Sequence, residues 1–220
     1  MKKIMFNDRF GLTEAVLAGR KTMTRRTFKL PDELTTRLIY NPVMGIDDRG
    51  KVYFTFDCID SKQRDIYPHY QIGEVIAIAQ RYQDIPLDTL MQRRMDGKTD
   101  RWPFESLLRQ SHGWTNKQGV LAKFMPHRIK ITNIKIERLQ DISEEDAMRE
   151  GIYKNPNPPR WREYDPYEAW HPSAKPFKYT VVKDYCKARF AFADLINRVS
   201  GSGTWEMNPW VFAYEFQLIK

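Results

Sequence analysis

The sequence predicts an α+β protein, a single domain over residues 1–220 with insertions near 83–127 and 154–178. Three observations carry this. A chain of 220 residues suits one core with additions rather than two independent units. Its 41% apolar, 13% aromatic and 29% charged residues are the composition of a globular protein and exclude a disordered or fibrous chain. Finally, segments alternating with the two-residue period of strands are interleaved with segments at helical spacing, and two stretches break both rhythms.

The first element is a short strand at Lys3 to Phe6. Asp8 then stands where it can cap a helix whose apolar positions Leu12, Val16 and Leu17 share a face, and Gly19 ends that helix. The window from Arg20 to Lys29 holds five cations, no acid and three threonines, too polar and too β-branched to continue a helix. Residues 51 to 59 alternate as a strand, and Gln71-Ile72-Gly73 is a turn into a buried strand from Val75 to Ala79.

The strand rhythm stops at residue 83. Helices are expected at Leu87 to Met95 and around Phe104 to Leu108, with Trp102 and Trp114 beside them, as an insertion packed on the main body. Rhythm returns in Arg128 to Leu139, where a one-residue slip near Asn133 predicts a β-bulge. Ser143-Glu-Glu-Asp146 is a near capping box opening a short helix that ends at Glu150-Gly151. Residues 154 to 178 hold six of the 13 prolines, with Trp161 and Trp170 placed either to stack on a base or to pack the loop down. A helix over Val181 to Val199, ended by Gly201 and Gly203, and a strand from Trp210 to Ile219 complete the chain.

Thirty-six Lys and Arg against 28 Asp and Glu leave a net charge of +8, which favours an anionic partner such as nucleic acid. Cys58 and Cys186 are far apart and set in apolar patterns, as expected of reduced thiols. No signal peptide or membrane span is legible, so a cytoplasmic protein without a membrane partner is expected. His69, His112, His127 and His171 lack ligand spacing, so no metal site is expected, and no organic cofactor is implied. The absence of a P-loop, a dinucleotide fingerprint and a nucleophile elbow excludes NTPase, Rossmann and serine hydrolase readings.

Four blocks, in order, resemble the ASCH family. They are Gly19-Arg-Lys-Thr-Met-Thr-Arg-Arg26, the turn and strand at Tyr70 to Ala79, Leu139 to Gly151, and Asn208-Pro-Trp-Val-Phe212 running to Phe216. The resemblance implies a PUA-like mixed β-barrel with flanking helices, of the longer type met in phage and bacterial genomes. The family includes RNA-binding modules, nucleases and small amidohydrolases that deacetylate cytidine acetylated on its exocyclic amine. By that resemblance Lys21 is the base, Thr24 the nucleophile and Glu150 the proton donor. The two insertions are absent from those small enzymes.

The residues themselves leave two readings of the basic window open. A threonine hydroxyl attacks only after a base removes its proton, and Arg20, Arg25 and Arg26 crowd Lys21 in sequence, which would favour its neutral amine. Alternatively Arg20, Arg25, Arg26 and Lys29 contact the phosphates of RNA or single-stranded nucleic acid, and the chain is a non-catalytic reader of RNA or of a modified base. A nuclease is a third reading. Glu150 lies in the last turn of its helix, where unpaired carbonyls disfavour a carboxylate, so it is either functional or a solvated surface acid. The catalytic and the base-pocket readings both require Lys21, Thr24 and Glu150 to converge in one cleft able to receive a cytosine-like base or nucleoside, and Thr24→Ala separates an enzyme from a reader.

Overall fold

A computed structural model of the chain describes residues 1–29, 42–57, 63–93, 101–154, 167–168 and 187–219. Its spine is a five-stranded mixed sheet in the order β1 (Lys3–Ile4), β6 (Val75–Ile78), β7 (Arg128–Arg138), β10 (Trp210–Ile219), β2 (Met23–Thr27). β1 runs parallel to β6 and the other neighbours are antiparallel. The two long strands β7 and β10 lie at its centre because both alternate apolar residues over their length: Ile129, Ile131 and Ile134 on one, Phe212, Tyr214 and Phe216 on the other, all buried. The expected bulge is present. Glu215 pairs with Asn133 and Phe216 with Ile131, so Thr132 is the extra residue, and the Asn133 side chain donates to Glu215.

A second, three-stranded antiparallel sheet joins β3 (Val43–Ile46), β4 (Val52–Asp57) and β5 (Gln63–Ile66). Val52, Phe54 and Phe56 of β4 point into the main core and meet the central sheet through rings. Phe54 lies 5.7 Å from Phe212, and Phe56 lies edge-on to Trp210 at 5.7 Å. Each such ring, fully buried, contributes about 1.5–3 kcal/mol. The two sheets are thus joined by side chains, and no closed barrel forms among the described residues. The expected barrel is replaced there by two separate ladders facing a shared core.

Helices close this core. α1 (Leu12–Leu17) buries Leu12 and Val16, but its N-cap is Gly11, and it is Asn7 that accepts the Arg9 amide in the turn before it. Asp8, the expected cap, instead accepts from Thr13 and Lys117 side chains. In the 83–127 region, α2 (Leu87–Gln92) and α3 (Arg101–Gln110) build a separate cluster with Tyr82, Leu90, Leu108, Val120 and Met125, set against Ala77 and Ala79 at the end of β6. α4 (Glu144–Arg149) begins at Ser143, whose hydroxyl accepts the Asp146 amide as the capping pattern predicts. A two-stranded ladder pairs β8 (Tyr153–Lys154) with β9 (Tyr167–Glu168).

α5 (Ala188–Ser200) packs Ala191, Phe192, Leu195 and Ile196 into the main core, shorter than the Val181–Val199 expectation, whose first residues lie outside the described ones. Gly201 and Gly203, both at positive φ, turn the chain into α6 (Thr204–Met207) and on to β10. Cys58, Cys186, Trp161, Trp170 and most of 154–178 also fall outside the described residues. No helix among the described residues is long and apolar enough to cross a membrane.

Candidate active-site cleft

The Gly19 turn places the basic window against the end of α4. Gly19 adopts φ +73°, and the amides of Arg20 and Lys21 both bond to Ala15 O at 2.9 Å, folding the chain back over α1. The Thr22 amide then donates to Arg149 O, one of the unpaired carbonyls at the C-terminus of α4, at 2.9 Å. Gly151, at φ +100°, turns the chain away so closely that a Cβ there would stand 3.5 Å from Lys21 Cβ. Two segments separated by about 130 residues in sequence are in this way docked through their backbones before any side chain acts.

Lys21 and Glu150 meet in the resulting seam, each 3% exposed. Lys21 Nζ donates to Glu150 Oε2 at 2.5 Å, to Glu150 O at 2.8 Å and to Met23 O at 2.7 Å. Three acceptors around one nitrogen are the partners of an ammonium ion. Burial pulls the Lys21 pKa below its ordinary value; Glu150 opposes that pull, and Arg26 and Arg25 add to it. Desolvation, rather than the crowd of like charges expected from the sequence, is therefore the leading cause, and Arg20 takes no part in it.

Arg25 explains why an acid stands at the end of α4. Its Nη1 donates to Glu150 Oε1 at 3.1 Å, its Nε to Glu137 at 2.7 Å, and its Nη2 to Asp146 at 3.1 Å. The side chain is fully buried. Burial alone would weaken its charge, but Glu150, Glu137 and Asp146 together outweigh that and hold the guanidinium above its ordinary value. Both Glu150 oxygens are thus engaged, one by each cation, and this tertiary attraction overcomes the unfavourable helix end. Arg149 and Lys135 extend the network outward by pairing with Asp146 and Glu215.

Thr24 lies next to Arg25 on β2, opposite Tyr214 of β10, and is 5% exposed. Lys21, Thr24, Arg25, Arg26 and Glu150 line one cleft of about 280 Å³, so the three residues expected to converge do so. Met5, Phe6 and Leu12 contribute to its lining, and α5 adds Phe192, Leu195, Ile196 and Val199. A second depression of about 520 Å³, beside β3 and β4, mixes Asp47 and Asp48 with Lys2, Arg49 and Lys51 and has no comparable buried pair.

The four cations expected to meet phosphates occupy unlike places. Arg25 is committed to three carboxylates and to Met23 Sδ, which leaves no donor for a phosphate, so for this residue the expectation is corrected. Arg26 is exposed at the cleft, donates to Met5 O at 2.6 Å and lies over the Phe6 ring. Arg20 lies 3.7 Å from Glu14 at the surface, and Lys29 is exposed beyond β2. Asp146, Glu137 and the α5 residues are what sequence reasoning missed. Asp146 reads in sequence as an ordinary acid at a helix start, and the Phe192, Leu195, Ile196 and Val199 stripe as ordinary core.

Compared with known protein families, with curated proteins and with solved structures, the chain matches none.

Proposed function

We propose that this chain is an ASCH-type, PUA-like protein whose cleft receives a nucleobase or nucleoside and hydrolyses the amide of a cytidine acylated on its exocyclic amine. The observation that carries the reading is the buried Lys21–Glu150 pair on the floor of a cleft that Thr24 also lines. A volume near the lower limit of about 300 Å³ for ligand pockets suits a single base rather than a duplex. Among the described residues the Thr24 hydroxyl makes no hydrogen bond, which leaves it free to turn toward a substrate.

The pair supplies both proton-transfer partners from one contact. Movement of a proton from Lys21 Nζ to Glu150 Oε2 gives a neutral amine and a protonated acid without changing the net charge of the site. Lys21 then accepts the Thr24 proton, Thr24 Oγ1 bonds to the acyl carbon, and Glu150 protonates the departing amine as the C–N bond breaks. The original ion pair is thereby restored beside an acyl-threonine ester. Repeating the transfer with water as nucleophile returns Thr24 its proton and releases the carboxylic acid.

The test is an assay of cytidine release from acetylated and other acylated cytidines. Thr24→Ala should lower turnover by at least about 1,000-fold and Lys21→Ala by about 100-fold or more, the range of positioned bases. The rate should fall on the acid side as the pair takes up a second proton and on the alkaline side as its one shared proton is lost, the alkaline limb lying below the ordinary lysine range because burial lowers the Lys21 pKa. Release of no cytidine from any substrate rejects the enzyme. Undiminished binding by Thr24→Ala would then favour a non-catalytic reader.

A further inference from the structure

Two cations and three acids meet beneath the floor of the cleft. Lys21 and Arg25 share Glu150, one on each carboxylate oxygen, and Arg25 alone continues to Glu137 and Asp146. The cluster therefore holds one acid more than its two cations require. Arg25 is fully buried, and the Glu137 and Asp146 side chains are only 19% and 14% exposed, so water screens their charges little. Farther out, Lys135 and Arg149 pair with Asp146 and Glu215, but these cations are 44% and 33% exposed and act through solvent. The remaining charged residue lining the cleft is Arg26; α1 contributes Leu12, and the α5 residues there carry no charge.

The surplus acid has a chemical consequence. Amide hydrolysis here needs one proton held between Lys21 Nζ and Glu150 Oε2, and Arg25 on Oε1 leaves Oε2 as the oxygen that exchanges it. With Glu150 as its sole acid, the Arg25 guanidinium would lay its whole charge on the pair. That charge would favour loss of the Lys21 proton and lock Glu150 as a carboxylate unable to protonate a leaving amine. Resting on the amide-hydrolase reading above, we infer that Glu137 and Asp146 are positioning residues, which hold Arg25 on Glu150 Oε1 while offsetting its charge and so keep the shared proton in the Lys21–Glu150 pair at neutral pH. Neither lines the cleft, so both act through Arg25 rather than on the substrate.

The experiment follows the pH profile of kcat/KM on acetylated cytidine and, without substrate, the titration of Lys21 by the carbon NMR signal of its Cε, assigned by its loss in Lys21→Ala. Glu137→Gln and Asp146→Asn each remove one negative charge and keep a hydrogen-bond acceptor. With one acid fewer every protonated form loses an attraction, so both limbs of the profile and the Lys21 titration should move together to lower pH, by about one unit. Glu137→Asp, which keeps the charge, should restore the original limbs. Lys135→Glu, at a half-exposed position, should move them upward by about half a unit. A structural role alone would lower stability and rate with the limbs in place, and that result in a folded acid variant overturns the inference. Should both acid variants unfold, an unmoved profile and titration in Lys135→Glu overturn it. If no cytidine is released but the Lys21 titration moves as stated, the electrostatic control stands and the hydrolase reading falls. Release with an unmoved titration rejects the control alone.

Discussion

Arg25 and Arg26 are adjacent and identical in charge, yet the structure gives them opposite tasks. Arg25 shares a face of β2 with Met23 and is sealed among Glu137, Asp146 and Glu150; Arg26 faces the cleft and solvent. Their substitutions should separate cleanly. Arg25→Gln leaves buried carboxylates without their cation and should destabilise the fold by about 3–5 kcal/mol, read by chemical denaturation. Arg26→Gln should change stability little, within about 0.5 kcal/mol. On single-stranded RNA, however, it should reduce the slope of log K against log salt by about 0.7 if it meets one phosphate. Equal stability losses in the two variants would contradict this division.

At the scale of elements, the α4 terminus is where local signals and distant partners meet. Ser143, the acids of the first turn and Gly151 are a complete local prescription for a six-residue helix. They say nothing of what the helix end touches. Gly151 also turns the chain where Lys21 packs: its φ of +100° is one that side chains rarely adopt, while an added Cβ would meet Lys21 Cβ and Leu12 Cδ2 only at ordinary contact distance. Gly151→Ala should therefore cost about 1–2 kcal/mol of stability. In the enzyme reading it should lower kcat more than it raises KM, since it disturbs the base rather than the mouth of the cleft. Denaturation and steady-state kinetics check the two halves; an unchanged stability would show that the turn has another conformation open to it.

For the whole molecule, the region 83–127 is tied to the cleft through the N-terminal segment that holds β1 and the residues just after it. Lys117 Nζ donates to Phe6 O at 3.0 Å, Thr13 Oγ1 at 2.9 Å and Asp8 Oδ1 at 2.5 Å, while Lys3 Nζ reaches back to Gln118 O and Val120 O. The segment Met5 to Asn7 that follows β1, held at Phe6 O by Lys117, is itself a wall of the cleft. Lys117→Ala removes the bond to Phe6 O and an ion pair with the exposed Asp8, both of which keep Thr13 as a partner, and should lower stability by about 0.5–1.5 kcal/mol. Hydrogen exchange should quicken at Phe6 and in residues 112–121 together. Exchange that quickens in only one of the two would mean that the clamp does not couple them.

Much of this architecture was legible in the chain because it depends on near neighbours. The alternation of β7 and β10, the bulge near Asn133, the Ser143 cap, the Gly19 and Gly151 stops and the basic window all follow from sequence periods and from residues a few positions apart. The identity of the candidate trio was also legible, through the Gly19–Arg26 block and Glu150. Pairings between distant residues were not. Whether a cation in the window is buried or exposed turns on a single step along β2, and its carboxylate partners lie more than a hundred residues away, where they read as ordinary surface acids. In the same way α5 shows an apolar stripe whether that stripe meets core or cleft, and two strand sets show the same alternation whether they close by hydrogen bonds or face each other through rings. Periodicity states which side of an element is apolar; only tertiary packing decides what that side meets, because the energies that choose come from desolvation and contact between segments that sequence keeps apart.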